Sequence, residues 1–412
     1  MVEGFYPRLA ALTEEEPWER LNTIRVPEVS AALMTERISA RDFLALLSPA
    51  AEPFLETMAR KAQAATLRHF GRTVQFFTPL YLANLCTNRC LYCGFSALRR
   101  IQRNKLNLDE VEAEAKAIAA SGLRRILALT GDAPTKTGAN YLAACVAVLA
   151  RHFSSVGIEV PSMSVEEYAQ VVTAGADSMT LFQETYNEVL YAQLHPAGPK
   201  RDFAFRLDAP QRAVEGGLRS INLGPLLGLD DWRREIFLAG LHADFLSQRY
   251  PHIEVSLSLP RLRPCGEFPS NPEKESFHPK TVSDRNFVQA LTAFRCFLPH
   301  AGITLSTREP ASLRDRLIPL GVTRISAGVS TSVGGHTGSK NTGEGATNNA
   351  PQFDISDHRS VAEMAEAIRT MGYQPVFADW VLPGDGRSSL STGQALALGV
   401  KAGVSTQERI LA

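Results

Sequence analysis

The chain has 412 residues, with 43 Lys+Arg balanced by 43 Asp+Glu and a net charge of zero. That length is large for one ordinary domain but suits an α/β barrel with extensions. The charge balance argues against nucleic acid or a membrane surface as partner, and no apolar run approaches the ~20 residues that span a bilayer.

The N-terminal stretch MVEGFYPRLAALTEEEPWER is acidic and lacks the apolar core of a secretory signal, so a cytoplasmic location is expected. Residues 1–70 read as helical: ARDFLALLSPAAEPFLETMARKAQAATLRHFG carries apolar residues at helical spacing and Gly71 stops the pattern. From Val74, VQFFTPLYLANLC is apolar and β-prone and runs directly into the loop NLCTNRCLYCGFS.

That loop places Cys86, Cys90 and Cys93 in the spacing C-x3-C-x2-C. Three thiolates fall one short of the four protein ligands of a structural zinc or rubredoxin-like site. They suffice for three irons of a [4Fe–4S] cluster, leaving the fourth iron open to an exogenous ligand. A zinc site completed by a distant His or Cys, or three reduced structural cysteines, is the alternative; a disulfide is weaker still in a cytosolic chain. Cys145, Cys265 and Cys296 are scattered, and Cys145 and Cys296 read as buried small hydrophobes on helices.

Beyond the loop, Asn107 to Glu110 has the form of a capping box, and Leu108, Val111, Ala115 and Ile118 make one apolar helix face. RILALTGD, GIEVPSMS (157–164), SMTLFQETY (178–186), SINLGPLLGL (220–229), EVSLSLPRLRP (254–264), ITLSTRE (303–309) and VTRISAGVST (322–331) read as buried strands separated by helical segments. With the strand before the cysteines they number eight, which predicts a closed (β/α)8 barrel, an open doubly wound sheet being the alternative. Polar residues gather at the strands' C-terminal ends, where barrels carry their chemistry: Asp132, Glu184, Arg261, Arg263, Ser306, Arg308 and Ser326. Residues 333–358, rich in Gly, Asn and Thr, predict a long loop that acts as a lid, followed by a helix from about Arg359 to Met371 and a helical tail. The division expected is a helical extension (1–72), a barrel (73–332) and a C-terminal extension (333–412) closing the barrel.

PLYLANLCTNRCLYCGFS, LTGD, FQETYNEVLYAQLH, INLGPLLGL, SLPRLRPC, LSTRE, LRDRLIPLGVTRISAG and PVFADW carry a further signal. In these stretches the chain resembles the aromatic amino acid lyases of the radical S-adenosylmethionine (SAM) superfamily, the tyrosine lyases of thiamine biosynthesis above all. The resemblance implies a [4Fe–4S] cluster on Cys86, Cys90 and Cys93 that chelates SAM, with Tyr92 near the adenine. It puts Asp132 where the family usually has a Glu accepting from the SAM amino group, and Glu184 at the SAM ribose or amino end. Arg206 pairs with the SAM carboxylate or, as a lone helical Arg, faces solvent. Ile221 to Gly228 give the backbone edge beside the adenine, with the glycines, Gly224 included, allowing close approach. Arg308, with Ser306 and Ser326, holds the substrate carboxylate; Arg324 is an alternative, and Arg261 and Arg263 could instead form an ion-pair network. The implied reaction cleaves L-tyrosine to 2-iminoacetate and p-cresol, with a thiazole synthase as recipient and a flavodoxin or ferredoxin as reductant. No cysteine lies beyond Cys296, so the second cluster of the hydrogenase-maturing tyrosine lyase has no ligands here. A tryptophan lyase making 3-methyl-2-indolic acid from L-tryptophan, and a non-catalytic iron–sulfur or zinc module, are the rival expectations.

Overall fold

The computed structural model describes residues 4–14, 17–263, 278–337 and 351–377. Eight parallel strands form its centre: β1 (Thr73–Ala83), β2 (Arg125–Thr130), β3 (Ser155–Glu159), β4 (Ser178–Glu184), β5 (Ser220–Pro225), β6 (Glu254–Ser258), β7 (Gly302–Leu305) and β8 (Arg324–Ser326). Each pairs with the next, β8 pairs with β1, and β1 pairs with β2, so the sheet closes on itself and the open-sheet alternative falls. The third strand begins at Ser155 and ends at Glu159, earlier at both ends than 157–164. A further short strand, β9 (Gln374–Val376), adds in parallel to the first three residues of β1.

The sequence folds this way because its apolar runs are short and continuous, as strands covered on both faces require, while the intervening segments carry helix starts. Asn107 accepts from the Glu110 N–H at 3.0 Å and the Glu110 carboxylate accepts from the Asn107 N–H at 2.7 Å, completing the expected capping box. In that helix Val111, Ala115 and Ile118 are buried, but Leu108 is 44 % exposed. It opens the helix at the rim, before the first turn reaches the barrel.

The barrel interior is partly polar. The Asn222 amide of β5 donates to Ser258 Oγ of β6 at 2.8 Å and to Thr180 Oγ1 of β4 at 3.2 Å, and its Oδ1 accepts from Ser256 Oγ at 3.0 Å. These bonds satisfy the polar side chains and form a hydrogen-bonded floor beneath the mouth.

The N-terminal helices share the barrel's core. The Phe43 ring stacks on Phe297 with centroids 4.4 Å apart, and the Gln289 amide donates to the Leu46 and Ser48 carbonyls at 3.0 and 2.9 Å. Gly71 ends the last of these helices, its N–H bonded to the Leu67 carbonyl. Cys145 and Cys296 are buried on helices as expected. The start of the Gly-rich segment is tied down, because buried Glu114 accepts from the His336 and Thr337 N–H groups at 2.8 and 2.9 Å. The helix after it runs Val361–Thr370, capped by Ser360. Cys265, the middle of the expected lid (338–350) and the tail from 378 lie outside the described residues. Among the described residues no helix is long and apolar enough to cross a membrane.

Candidate active site

The cysteine loop leaves β1 at the C-terminal mouth of the barrel. Arg103 holds it: its guanidinium donates to the carbonyls of Asn84 (2.7 Å), Phe95 (2.8 Å) and Ser96 (2.7 Å). Gly94 is required where it stands, since a Cβ there would lie 2.3 Å from the Gln352 carbonyl oxygen. Burial pushes the Cys93 thiol up to about 11 and Cys90 higher still, with Lys200 opposing in both cases and the other cysteines adding their own charge. Thiols in such surroundings ionise readily only when a cation is supplied, as a metal centre supplies it. Among the described residues no three His, Cys, Asp or Glu side chains close on a point as a lone metal ion demands. Three thiols on one short loop suit a multi-iron cluster.

Tyr92 is buried, and its hydroxyl lies 2.8 Å from His195 Nε2. His195 Nδ1 lies 2.8 Å from the Tyr191 carbonyl, so Nδ1 carries the proton and Nε2 accepts from Tyr92. Burial lowers the His195 imidazole to about 2, keeping it neutral. Lys200 completes the chain, donating to Tyr92 Oη at 3.2 Å and pairing with the Glu184 carboxylate. Lys200 and His195 were not singled out from the sequence; the spacing from Glu184 gave no sign that the loop after it folds back.

Glu184 sits at a β-bulge closing β4 and has φ +73°, the one non-glycine residue with positive φ among the described residues. Bulges re-aim side chains beside active sites, and here the carboxylate turns toward the cysteine loop. Arg206 does not lie on a solvent face, its side chain being only 11 % exposed: Nε and Nη2 donate to the Phe182 carbonyl at 3.0 and 2.7 Å, and Nη2 lies 3.9 Å from Glu184 Oε1. Asp132 meets the same loop. Its carbonyl accepts from the Thr87 N–H at 2.8 Å and its Oδ2 from the Asn88 amide at 2.7 Å, while buried Oδ1 has no hydrogen-bond partner. Burial raises the Asp132 carboxyl above its ordinary range, with Asn88 opposing. An orphaned carboxylate oxygen, a largely buried guanidinium and a re-aimed glutamate beside three thiols fit the ammonium, carboxylate and hydroxyl groups of a bound SAM.

Beneath the loop a cavity opens into the barrel. Arg308, Ser306 and Ser326 all line it, as their strand-end positions predicted. The Arg308 guanidinium lies over the Phe353 ring, 3.5 Å from its centroid, and has no hydrogen-bond partner among the described residues. Ser306 Oγ accepts from the Arg308 N–H at 3.4 Å, and buried Ser326 Oγ has no partner. Glu159, at the end of β3, and Tyr81, whose hydroxyl donates to Gln352 at 2.7 Å, also line the cavity. Both were missed in the sequence. Glu159 is raised to about 7 by burial, with Arg308 opposing.

Other sequence candidates lie elsewhere. Ile221 is buried in the core near the start of β5, and the alternation that sends Asn222 into the cavity sends Ile221 away from it. The space beside Gly224 is taken by β6, whose Ser258 carbonyl oxygen would sit 2.1 Å from a Cβ, so this glycine serves strand packing. Arg324 begins β8 and points to the far end of the barrel, bonded to Gln75 at 3.1 Å. Arg261 chelates Glu309 and bonds Asp284 at 2.8 Å, and Arg263 joins Glu309 at 3.1 Å, the ion-pair network weighed above.

The radical SAM superfamily model matches residues 80–239, and the Biotin and Thiamin Synthesis associated domain matches residues 258–374. The chain is 39 % identical over 381 residues to the 2-iminoacetate synthase of Salmonella typhimurium, covering 92 % of this chain and 97 % of that one. It is 38 % identical to the Escherichia coli 2-iminoacetate synthase with the same coverage. Among solved structures, HydG, a maturase of the [FeFe]-hydrogenase, superposes with a TM-score of 0.76 at 30 % identity, covering 85 % of this chain and 76 % of that chain. Methylornithine synthase, at 18 % identity and a TM-score of 0.65, shares the fold. With a cysteine loop, a polar mouth and this degree of identity along nearly its whole length, the chain belongs to the 2-iminoacetate synthase family of radical SAM lyases, whose cofactors are a [4Fe–4S] cluster and SAM.

Proposed function

We propose that the chain cleaves the Cα–Cβ bond of L-tyrosine, giving 2-iminoacetate and p-cresol. One observation carries this reading: a guanidinium and a carboxylate, Arg308 and Glu159, line the same cavity below the cysteine loop. They match the two charged ends of an amino acid. Cluster and SAM, when bound on Cys86, Cys90, Cys93, Asp132, Glu184 and Arg206, supply a 5′-deoxyadenosyl radical.

The protein's own part is to place and prepare the substrate. Arg308, held flat over Phe353 with its donors free, takes the carboxylate in a bidentate pair. Ser306 orients Arg308 through its backbone N–H, and the unpartnered hydroxyls of Ser326 and Thr304 are available to the same carboxylate or to the amine. Glu159 accepts one proton from the substrate ammonium, leaving the neutral amine whose N–H hydrogen is removed. On this floor the hydroxyls of Thr180 and Ser258, each bonded to Asn222, keep capacity for a phenol hydroxyl, which favours tyrosine over the bulkier indole. The closed barrel keeps water from the radical and from the hydrolysable imine. A thiazole synthase receiving 2-iminoacetate and a flavodoxin or ferredoxin supplying electrons belong to this reading.

Anaerobic reconstitution, followed by SAM, dithionite and either tyrosine or tryptophan, tests it. Release of p-cresol is expected. Formation of 3-methyl-2-indolic acid would make the chain a tryptophan lyase, and a loaded cluster that yields no 5′-deoxyadenosine would leave only a binding module.

A further inference from the structure

Glu184 owes its direction to a backbone that has to be held in place. At φ +73° its Cβ is crowded, and a side chain persists in that region only where the surrounding structure over-determines it. Its own carbonyl is taken by the Leu226 N–H of the chain leaving β5, at 2.8 Å. The three residues after it are held from one short segment, 230–235, at the start of the helix Trp232–Arg249.

Glu235 is the centre of that hold. It is wholly buried, and its two oxygens go to consecutive residues: Oε1 accepts from Thr185 Oγ1 at 2.6 Å and Oε2 from the Tyr186 N–H at 2.9 Å. Thr185 Oγ1 in turn accepts from the Asn187 N–H at 3.1 Å, which leaves its hydroxyl proton for Glu235. The Asn187 amide donates to Asp230 Oδ2 at 2.8 Å. Asp230 is paired with Lys280, whereas Glu235 forms no ion pair among the described residues. A buried carboxylate without a cation costs more than an apolar side chain of the same size. The helix has no need of it as a cap, since Asp231 already accepts from the Arg233 and Arg234 N–H groups.

We propose that Glu235 is a positioning residue for SAM: by tying down Thr185 and Tyr186 it holds Glu184 in the left-handed conformation that turns its carboxylate to the cysteine loop. The inference rests on the reading of Glu184 as a SAM contact. Without the tie the turn after β4 relaxes toward negative φ, and the Cα–Cβ bond of Glu184 swings away from Lys200 and the loop. The loss falls on SAM. Arg308, which follows β7 on another side of the barrel, keeps its place.

The test is a double-mutant cycle on the reconstituted holoenzyme, oxidised and without reductant, so that SAM binds and is not consumed. SAM affinity is read by calorimetry, and iron content and melting temperature are measured on each variant. Glu184→Ala keeps the Cβ, removes the carboxylate and is expected to weaken SAM roughly tenfold or more. Glu235→Leu, similar in volume but without an acceptor, is expected to weaken it about tenfold with iron loading unchanged. In the doubly substituted protein the second loss should be absent, because residues that act through one contact do not add. Glu235→Gln, whose carbonyl can accept from the Tyr186 N–H and whose amide can donate to Thr185 Oγ1, should restore most of the affinity. Thr185→Val, which removes only the hydroxyl, runs the same cycle should Glu235→Leu fail to fold. Losses that add across the cycle overturn the proposal, since Glu235 would then act on the fold at large. So does full SAM affinity in Glu235→Leu or Thr185→Val beside a weakened Glu184→Ala. Full affinity in Glu184→Ala removes Glu184 as a SAM contact and takes the proposal with it. The p-cresol assay judges the lyase reading separately.

Discussion

The Glu159 carboxylate and the Arg308 guanidinium line one cavity from opposite sides of the barrel, at the ends of β3 and β7. Burial holds Glu159 near 7 in spite of Arg308, so it is poised to exchange a proton at neutral pH. Its working form is the carboxylate. kcat/KM for tyrosine should therefore rise with pH through about 7 and level off above. Glu159→Gln should remove that acid limb and lower the plateau by about 10²-fold or more. A pH profile of p-cresol release checks it, and an acid limb that survives the substitution assigns the titration to another group.

Arg308→Lys keeps the charge but loses the planar fork. A charge-assisted hydrogen bond contributes about 1.5–3 kcal/mol, so KM for tyrosine should rise roughly ten- to hundredfold, with SAM affinity unchanged. Isothermal titration with SAM beside steady-state kinetics separates the two.

Cys93→Ala removes one of three expected iron ligands. Iron content after anaerobic reconstitution should fall sharply and 5′-deoxyadenosine should vanish, with the fold intact by circular dichroism. Full iron loading with an unchanged spectrum would shift the ligand assignment to another group.

Glu235 is fully buried, accepting from Thr185 Oγ1 at 2.6 Å and from the Tyr186 N–H at 2.9 Å, and burial lifts it to about 8 against these bonds. A carboxyl raised in the folded state releases its proton more readily on unfolding, so stability falls as pH climbs from its ordinary range to about 8. Denaturant titrations at pH 5 and pH 9 should show Glu235→Gln losing less stability between the two than the parent chain does.

Strand periodicity made the barrel readable, because eight short apolar runs admit few other arrangements, and cysteine spacing pointed to the loop where a metal centre is expected. What stayed hidden depended on where along a strand a residue falls. Arg308 follows β7 and reaches the mouth, whereas Arg324 opens β8 and faces the other end, although both looked like strand-adjacent arginines. Ile221 and Asn222 differ by one position and point to opposite faces. Glu159 was hidden inside an apolar run whose end was placed too late. Arg206 stood between a SAM contact and a solvent-facing helical arginine, because nothing local announces that its helix folds over the end of β4.

Glu184 occupies a backbone conformation that a side chain with a Cβ resists by roughly 1–2 kcal/mol. Replacing it with glycine would ease the chain locally and delete the carboxylate at the same stroke. The protein thus keeps a sprung joint where a relaxed one was available, and a screen that selected only for heat resistance would be drawn toward a sturdier, idle version of it.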